Sequence, residues 1–244
     1  MKKYICIIGS TSGLGYSIAE ILAKNEKNRL LLISRNLTKL EKIRRDLVKR
    51  YGTEIEILQC DLSKFKASDF KKAFLRIKVK IDELYCVAGY TSNQDTVGTN
   101  TKEVHKIFSI NSLSYISILN MLSKSNLSKD AKIVIISSVA CIRPRSVNMI
   151  YSASKLALES YTQSLRHQFT DKKIYIFRMG YMKTKMLSSK KIILPAIHPD
   201  KAAKKILFAI NSKSDGFYYI PSWWFLVSLG LKATPWWIFK KLRV

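Results

Sequence analysis

The chain has 244 residues, 43 Lys and Arg against 17 Asp and Glu, a net charge of +26 and 47% hydrophobic residues. That length suits one α/β domain with a sizeable core, and no stretch reaches the roughly 20 apolar residues needed to span a bilayer. The four cysteines (Cys6, Cys60, Cys86, Cys141) and three histidines (His105, His167, His198) are scattered without ligand spacing, so no metal site is expected and the thiols read as reduced.

The charge is compatible with nucleic acid, an anionic membrane surface or anionic substrates. Lys far outnumbers Arg and the basic residues are spread along the chain, so no nucleic-acid reader is expected. A bias toward Lys, with solubility as its consequence, remains open beside a membrane role.

The first predicted strand, 4–8, feeds Gly9-Ser10-Thr11-Ser12-Gly13-Leu14-Gly15 and then a helix over 14–24. No signal peptide is expected, because the short apolar stretch after Lys2-Lys3 is this strand. Strand, glycine turn and helix form the context of a dinucleotide phosphate site. Glycines let the backbone approach a pyrophosphate, and the helix start offers unbonded N–H groups. The spacing is G-x-x-x-G-x-G, and no Gly-Lys-Ser/Thr follows; an ordinary glycine-rich βα turn is the plainer alternative.

A second strand, 30–34, ends in Ser34-Arg35-Asn36. Folds that prefer NAD usually place a carboxylate there for the ribose 2′-hydroxyl, yet none lies between Glu26 and Glu41. Arg35 instead offers a planar cation for the 2′-phosphate of NADP, which is expected in preference to NAD. Predicted strands at 55–59, 83–87, 132–137, 173–178 and 217–220 alternate with helices near 38–50, 67–78, 101–125, 152–169 and 199–211. Such continuous apolar runs predict strands buried on both faces. The expectation is a doubly wound, seven-stranded parallel sheet with its active face at the carboxyl ends of the strands.

Tyr151 and Lys155 stand one helical turn apart and project from the same helix face. A phenol near its ordinary pKa of about 10 is a poor acid–base group at neutral pH, and a neighbouring ammonium favours its ionised form. Ser138 ends the fifth apolar run, thirteen residues before Tyr151.

With the glycine turn, these residues resemble the short-chain dehydrogenase/reductase family over residues 3 to about 220. Ile8 stands where the family's motif opens with Thr, and Cys86-Val87-Ala88-Gly89 stands for its N-N-A-G, with both Asn lost. The resemblance makes Asn111, Ser138, Tyr151 and Lys155 the catalytic set. It assigns Asp61 and Leu62 to the adenine, Ala88 and Gly89 to the cofactor border, and Gly180 with Met182 and Thr184 to the nicotinamide end. Met179-Gly180 replaces the usual Pro-Gly. It implies hydride transfer between NADP and a carbonyl or secondary alcohol carbon, with Tyr151 as proton donor to the alkoxide. Lys155 would lower the Tyr151 pKa and hold the ribose hydroxyls, Ser138 would bond the carbonyl oxygen, and Asn111 would hold a water leading from Lys155 to solvent. It also implies a mobile lid over Met182–Pro199, made basic by Lys183, Lys185, Lys190 and Lys191, and a homodimer or homotetramer.

Residues 221–244 form a distinct tail carrying all four tryptophans, with Lys232, Lys240, Lys241 and Arg243 and no acid after Asp215. Its longest apolar piece would span about 18 Å as a helix, short of a ~30 Å hydrocarbon core. Two short helices broken near Pro235, each with one Trp pair, would suit the plane of an anionic membrane surface. The expectation is a cytoplasmic protein peripheral to the inner face of the membrane. Its substrate would be hydrophobic or lipid-linked, such as a polyprenyl-phosphate keto-sugar. A soluble reductase of small carbonyls with an oligomerising tail, and a non-catalytic NADP-binding sensor, stay open.

Overall fold

A computed structural model of the chain describes residues 2–75, 79–92, 95–122, 126–184 and 194–241. Seven strands form one sheet: β1 (Lys3–Ile8), β2 (Asn28–Ser34), β3 (Glu54–Gln59), β4 (Ile81–Cys86), β5 (Leu127–Ser138), β6 (Lys173–Met179) and β7 (Gly216–Ile220). The order is β3-β2-β1-β4-β5-β6-β7, and every pairing is parallel. This is the doubly wound α/β fold that the apolar runs predict. The helices are α1 (Gly13–Ala23), α2 (Leu37–Tyr51), α3 (Ala67–Leu75), α4 (Thr101–Phe108), α5 (Ser114–Leu122), α6 (Met149–Gln168), α7 (Pro199–Ser212), α8 (Trp224–Ala233) and α9 (Trp236–Phe239).

Side chains alternate across each strand, so an apolar run must be covered on both faces. In β1, Ile5 and Ile7 pack with Leu14 and Ile18 of α1 and with Ala202, Ala203 and Ile206 of α7. Tyr4, Cys6 and Ile8 face the other way, toward Ile118 and Leu119 of α5 and Leu158 of α6. Strand order reverses between β1 and β4, which opens a crevice at their carboxyl ends. The Ile8 carbonyl closes its floor by accepting the N–H of Val87 at 2.9 Å and of Ala88 at 3.1 Å.

Two elements differ from expectation. The helix predicted over 101–125 is interrupted by a π-helical turn at Ser109–Leu113, which separates α4 from α5. β5 starts five residues before the predicted run, at the polar segment Leu127–Ala131. Its register shifts between Ile81 and Glu83 of β4, and Asp130 has φ 62°. Ser128, Lys129 and Asp130 in succession at the start of the strand carry no apolar run to read.

The tail forms the two helices expected around Pro235, with Trp223 and Trp224 opening α8 and Trp236 and Trp237 in α9. It folds back on the domain. The Arg143 guanidinium donates to the carbonyls of Leu231 and Thr234 and lies 4.1 Å from the centre of the Phe239 ring. Tyr219 meets Phe225 edge-on at 5.7 Å. Phe225, Leu226, Leu229, Trp236 and Trp237 remain more than half exposed. No helix among the described residues is long and apolar enough to cross a membrane.

Candidate active site

The glycine turn is built on close approaches. A Cβ on Gly9, whose φ is +95°, would lie 2.5 Å from the Ala88 nitrogen, and one on Gly15 would lie 2.2 Å from the Gly9 oxygen. Neither position accepts a side chain, and the turn stays open as a backbone cradle. Ser12 caps α1: its hydroxyl accepts from the Gly15 N–H at 3.1 Å and donates to the Gly9 carbonyl at 2.7 Å. The first N–H groups of α1 have no carbonyl within the helix, the usual place for an anion. Ser10 and Leu14 are buried, and Ser10 Oγ donates to the Ile33 carbonyl at 3.4 Å. The Ser10 backbone N–H also donates to the Ile33 carbonyl, at 3.3 Å, so of these two expected cofactor contacts Leu14, through its backbone, is the one open to a phosphate.

Arg35 is exposed beyond β2, and Gln59 bonds its carbonyl at 3.1 Å. Asp61 caps a short 3₁₀ turn, accepting from the Ser63 N–H at 2.9 Å and hydroxyl at 2.8 Å. Burial pushes its carboxyl up, but the Ser63 bonds and the nearby cations Arg35 and Lys64 outweigh that and hold it below the usual range. Arg35 and Asp61 thus share one corner of the crevice, with Leu62 buried beneath them. Across the turn, a Gly13 Cβ would sit 3.5 Å from the Thr184 methyl group. Met182 bridges to Ile197 and packs on the core. The remaining lid lysines Lys185, Lys190 and Lys191, like Arg243 of the tail, lie outside the described residues. The residues present fit a dinucleotide: a bare-backbone cradle at a helix start, a cation past β2 and an acid past β3.

The catalytic candidates converge at the ends of β4 and β5. Ser138 closes β5, and its Oγ accepts from the Ala140 N–H at 3.1 Å, which leaves its own proton to donate. Tyr151 lies in the first turn of α6, partly exposed. Burial around the ring holds its hydroxyl above the ordinary phenol range, while a hydrogen bond with Ser138 pulls the other way. Lys155 is 3% exposed, and its Nζ donates to the Ile136 carbonyl at 2.9 Å. Burial lowers its pKa to about 8, against the upward pull of Cys141, Cys86 and Glu159. In this structure Ser138 draws the Tyr151 pKa down, and the Lys155 ammonium is turned onto the strand.

Asn111 sits in the π-helical turn, fully buried. Its amide pairs with both backbone groups of Tyr90, each at 2.8 Å, and donates to Ser154 Oγ at 3.0 Å. Gly89 lies at the junction: a Cβ there would be 3.3 Å from Lys155 Nζ and 3.5 Å from Asn111 Oδ1. Under α6, the fully buried Glu159 takes a forked pair of bonds from Arg178, the shortest at 2.7 Å.

Two partners were not legible in the sequence. Asp95, in the loop after β4, accepts the backbone N–H of Ile150 and of Tyr151, each at 2.8 Å. Trp224 of the tail fills the place of a Gly180 side chain: a Cβ on Gly180 would be 1.9 Å from its Nε1. A polar residue in a loop and a tryptophan in a tail carry no motif that points to either contact.

Comparison with known proteins bears on the family and the fold. The family model described as short chain dehydrogenase matches residues 3–192. The ketoacyl reductase HetN of Nostoc sp. is 26% identical over 87% of this chain and 76% of its own length. Carbonyl reductase family member 4 of Xenopus laevis is 26% identical over 87% of this chain and 92% of its own. The fold matches a Sphingobium yanoikuyae short-chain dehydrogenase solved with NADPH at a TM-score of 0.78, 19% identity and coverage of 99% and 96% of the two chains. It also matches a Thermococcus sibiricus alcohol dehydrogenase solved with 5-hydroxy-NADP at a TM-score of 0.76, 21% identity and coverage of 90% and 96%. With most of its length under one family model and that family's fold, the chain belongs to the short-chain dehydrogenase family of oxidoreductases.

Proposed function

We propose that the chain is an NADPH-dependent reductase of a carbonyl carried on a hydrophobic or lipid-linked molecule. The observation that carries the reductase reading is the convergence of Ser138, Tyr151 and Lys155 beside the glycine cradle. NADPH, when bound, supplies the hydride that reduces the carbonyl carbon. The cradle, Arg35, Asp61 and Lys155 are the residues that would hold it, and the exposed Arg35 favours the 2′-phosphate form. Relatives named for ketoacyl and carbonyl reduction, and neighbours solved with NADPH, agree with that choice.

The protein's own part is proton and oxygen chemistry. Ser138, whose hydroxyl also bonds Tyr151, donates to the carbonyl oxygen of a bound substrate and stabilises charge as it builds there. Tyr151 gives its proton to the same oxygen. The phenol is protonated at neutral pH, the form that donates in the reducing direction. Lys155, next on the helix face, is the charged group from which that proton is restored.

The tail supports the hydrophobic substrate. It rests on the loop after Ser138 through Arg143 and on Gly180 through Trp224, so it borders the catalytic end of the sheet. Its outer face carries exposed Trp236, Trp237, Leu226 and Leu229 beside Lys232, Lys240 and Lys241. Such a face suits peripheral contact with an anionic membrane on the cytoplasmic side. The same seating on the domain favours a second reading, a soluble reductase whose tail packs against another subunit of a dimer or tetramer.

NADPH consumption with a total lipid extract, run beside a water-soluble metabolite extract, separates them. Turnover in the lipid extract alone, abolished by Tyr151→Phe, supports the first reading. Turnover with soluble metabolites alone supports the second, and silence in both with NADPH still bound points to a sensor.

A further inference from the structure

We infer that Asp95 is a positioning residue for the proton donor, fixing Tyr151 by capping the helix that carries it; this rests on the reductase reading above. α6 starts without a cap of its own. Its N-cap residue, Asn148, is in the left-handed region with φ 63°, makes no side-chain cap bond, and no acid follows in the first turn. The helix start is left with unsatisfied N–H groups at the point where Tyr151 must be held.

Asp95 supplies what is missing. It is 2% exposed, its Oδ1 accepts the Ile150 N–H and its Oδ2 the Tyr151 N–H, both at 2.8 Å. Its backbone carbonyl accepts the Asn148 N–H at 3.0 Å. With each carboxylate oxygen committed to a different amide, the carboxylate cannot turn without losing a bond. The Tyr151 carbonyl is fixed as well: Ser154 Oγ donates to it at 2.8 Å, and Asn111 bonds Ser154 at 3.0 Å. Asn111 in turn grips the backbone of Tyr90, at the start of the loop that bears Asp95. Both main-chain groups of Tyr151 are therefore tied to the segment after β4.

A local Ser or Asp cap would stabilise the helix equally well. A cap from a separate loop adds coupling, because any movement of that loop moves the first turn of α6. Misplacing a reacting group by about 1 Å can cost roughly a hundredfold in rate, so the contact controls turnover far more than it controls substrate affinity. Asp95 touches no reacting atom and acts through the backbone of Tyr151.

The test compares wild type, Asp95→Asn and Asp95→Ala in two measurements. The first is hydrogen exchange of the peptide covering the first turn of α6. The second is NADPH oxidation with a panel of aromatic ketones and ketoacyl thioesters together with the two extracts. Asp95→Ala is expected to speed first-turn exchange and lower kcat by roughly tenfold to a hundredfold, with KM changed by less than about threefold. Asp95→Asn keeps one acceptor oxygen and should fall between. Faster exchange with wild-type kcat would reduce Asp95 to a helix cap, and unchanged exchange would remove the contact itself; either overturns the inference. If Asp95→Ala does not fold, Asp95→Asn decides alone, by whether kcat falls while KM holds. A wild-type chain that turns over no carbonyl at all overturns the reductase reading and the positioning role with it, whereas wild-type turnover beside an unaffected variant overturns the positioning role alone.

Discussion

The ammonium of Lys155 donates to the carbonyl of Ile136 at 2.9 Å, buried beneath the helix that also bears Tyr151. Burial brings its pKa down to about 8 from an ordinary 10.5. Its charge, which the proton relay needs, is lost as pH rises through about 8. Carbonyl reduction should therefore decline on the alkaline side of that point, while Tyr151, held high, stays protonated. Stability moves the other way. Between about 8 and 10.5 the unfolded chain still binds the Lys155 proton and the folded chain does not, so stability rises with pH over that window. Turnover and urea unfolding of wild type and Lys155→Met across that range check both signs. A wild type that gains no stability relative to Lys155→Met there would contradict the assignment.

Tyr151→Phe removes the donated proton and keeps the ring. Its backbone bonds to Asp95 and Ser154 are untouched, so α6 should start where it does now. The expected result is loss of all but a few per cent of turnover with NADPH affinity nearly unchanged, read by NADPH fluorescence titration beside the kinetic assay. Turnover persisting above that level would give the proton to another group.

Arg35 lies exposed next to Asp61, where a carboxylate would otherwise select NAD. A charged hydrogen bond of about 1.5–3 kcal/mol corresponds to roughly tenfold to a hundredfold in affinity. Arg35→Ala should weaken NADPH by that factor and leave NADH nearly unchanged. Equal losses for both cofactors would place the 2′-phosphate elsewhere.

The sheet was legible because each strand is an apolar run and each run is buried on both faces, as in Tyr4–Ile8. The proposed catalytic residues stood out in the sequence because local spacing carries them: Tyr151 and Lys155 share a helix face, and Ser138 ends a strand. The roles that depend on where a side chain turns did not. Lys155 points to Ile136 nineteen residues away, and Asn111 turns inward only because the helix loosens into a π turn. Asp95 reaches α6 across more than fifty residues of chain, and Trp224 reaches Gly180 from the tail. Such contacts are fixed by the assembled fold, and no periodicity or spacing in the chain encodes them.

Trp224 and Gly180 provide the test of how firmly the tail belongs to the site. A Cβ on Gly180 would lie 1.9 Å from Trp224 Nε1 and 2.4 Å from its Cδ1, far inside contact distance. The indole is 5% exposed, stacked on Trp223 at 4.9 Å and met edge-on by Tyr181 at 5.7 Å, so it has little room to yield. Its Nε1 is buried without a hydrogen-bond partner among the described residues, which costs this packing about 1–3 kcal/mol. Gly180→Ala should therefore lift α8 off the domain, with the sheet intact. Limited proteolysis should then cut within 221–241, while the melting temperature of the remaining domain shifts by only a few degrees. Paired with Trp224→Ala, which makes room for the new methyl group, Gly180→Ala should cause little further exposure of the tail. If Gly180→Ala instead leaves the tail as protease-resistant as wild type, the indole does not seat on Gly180 in solution, and the tail's place beside the catalytic end of the sheet falls with it.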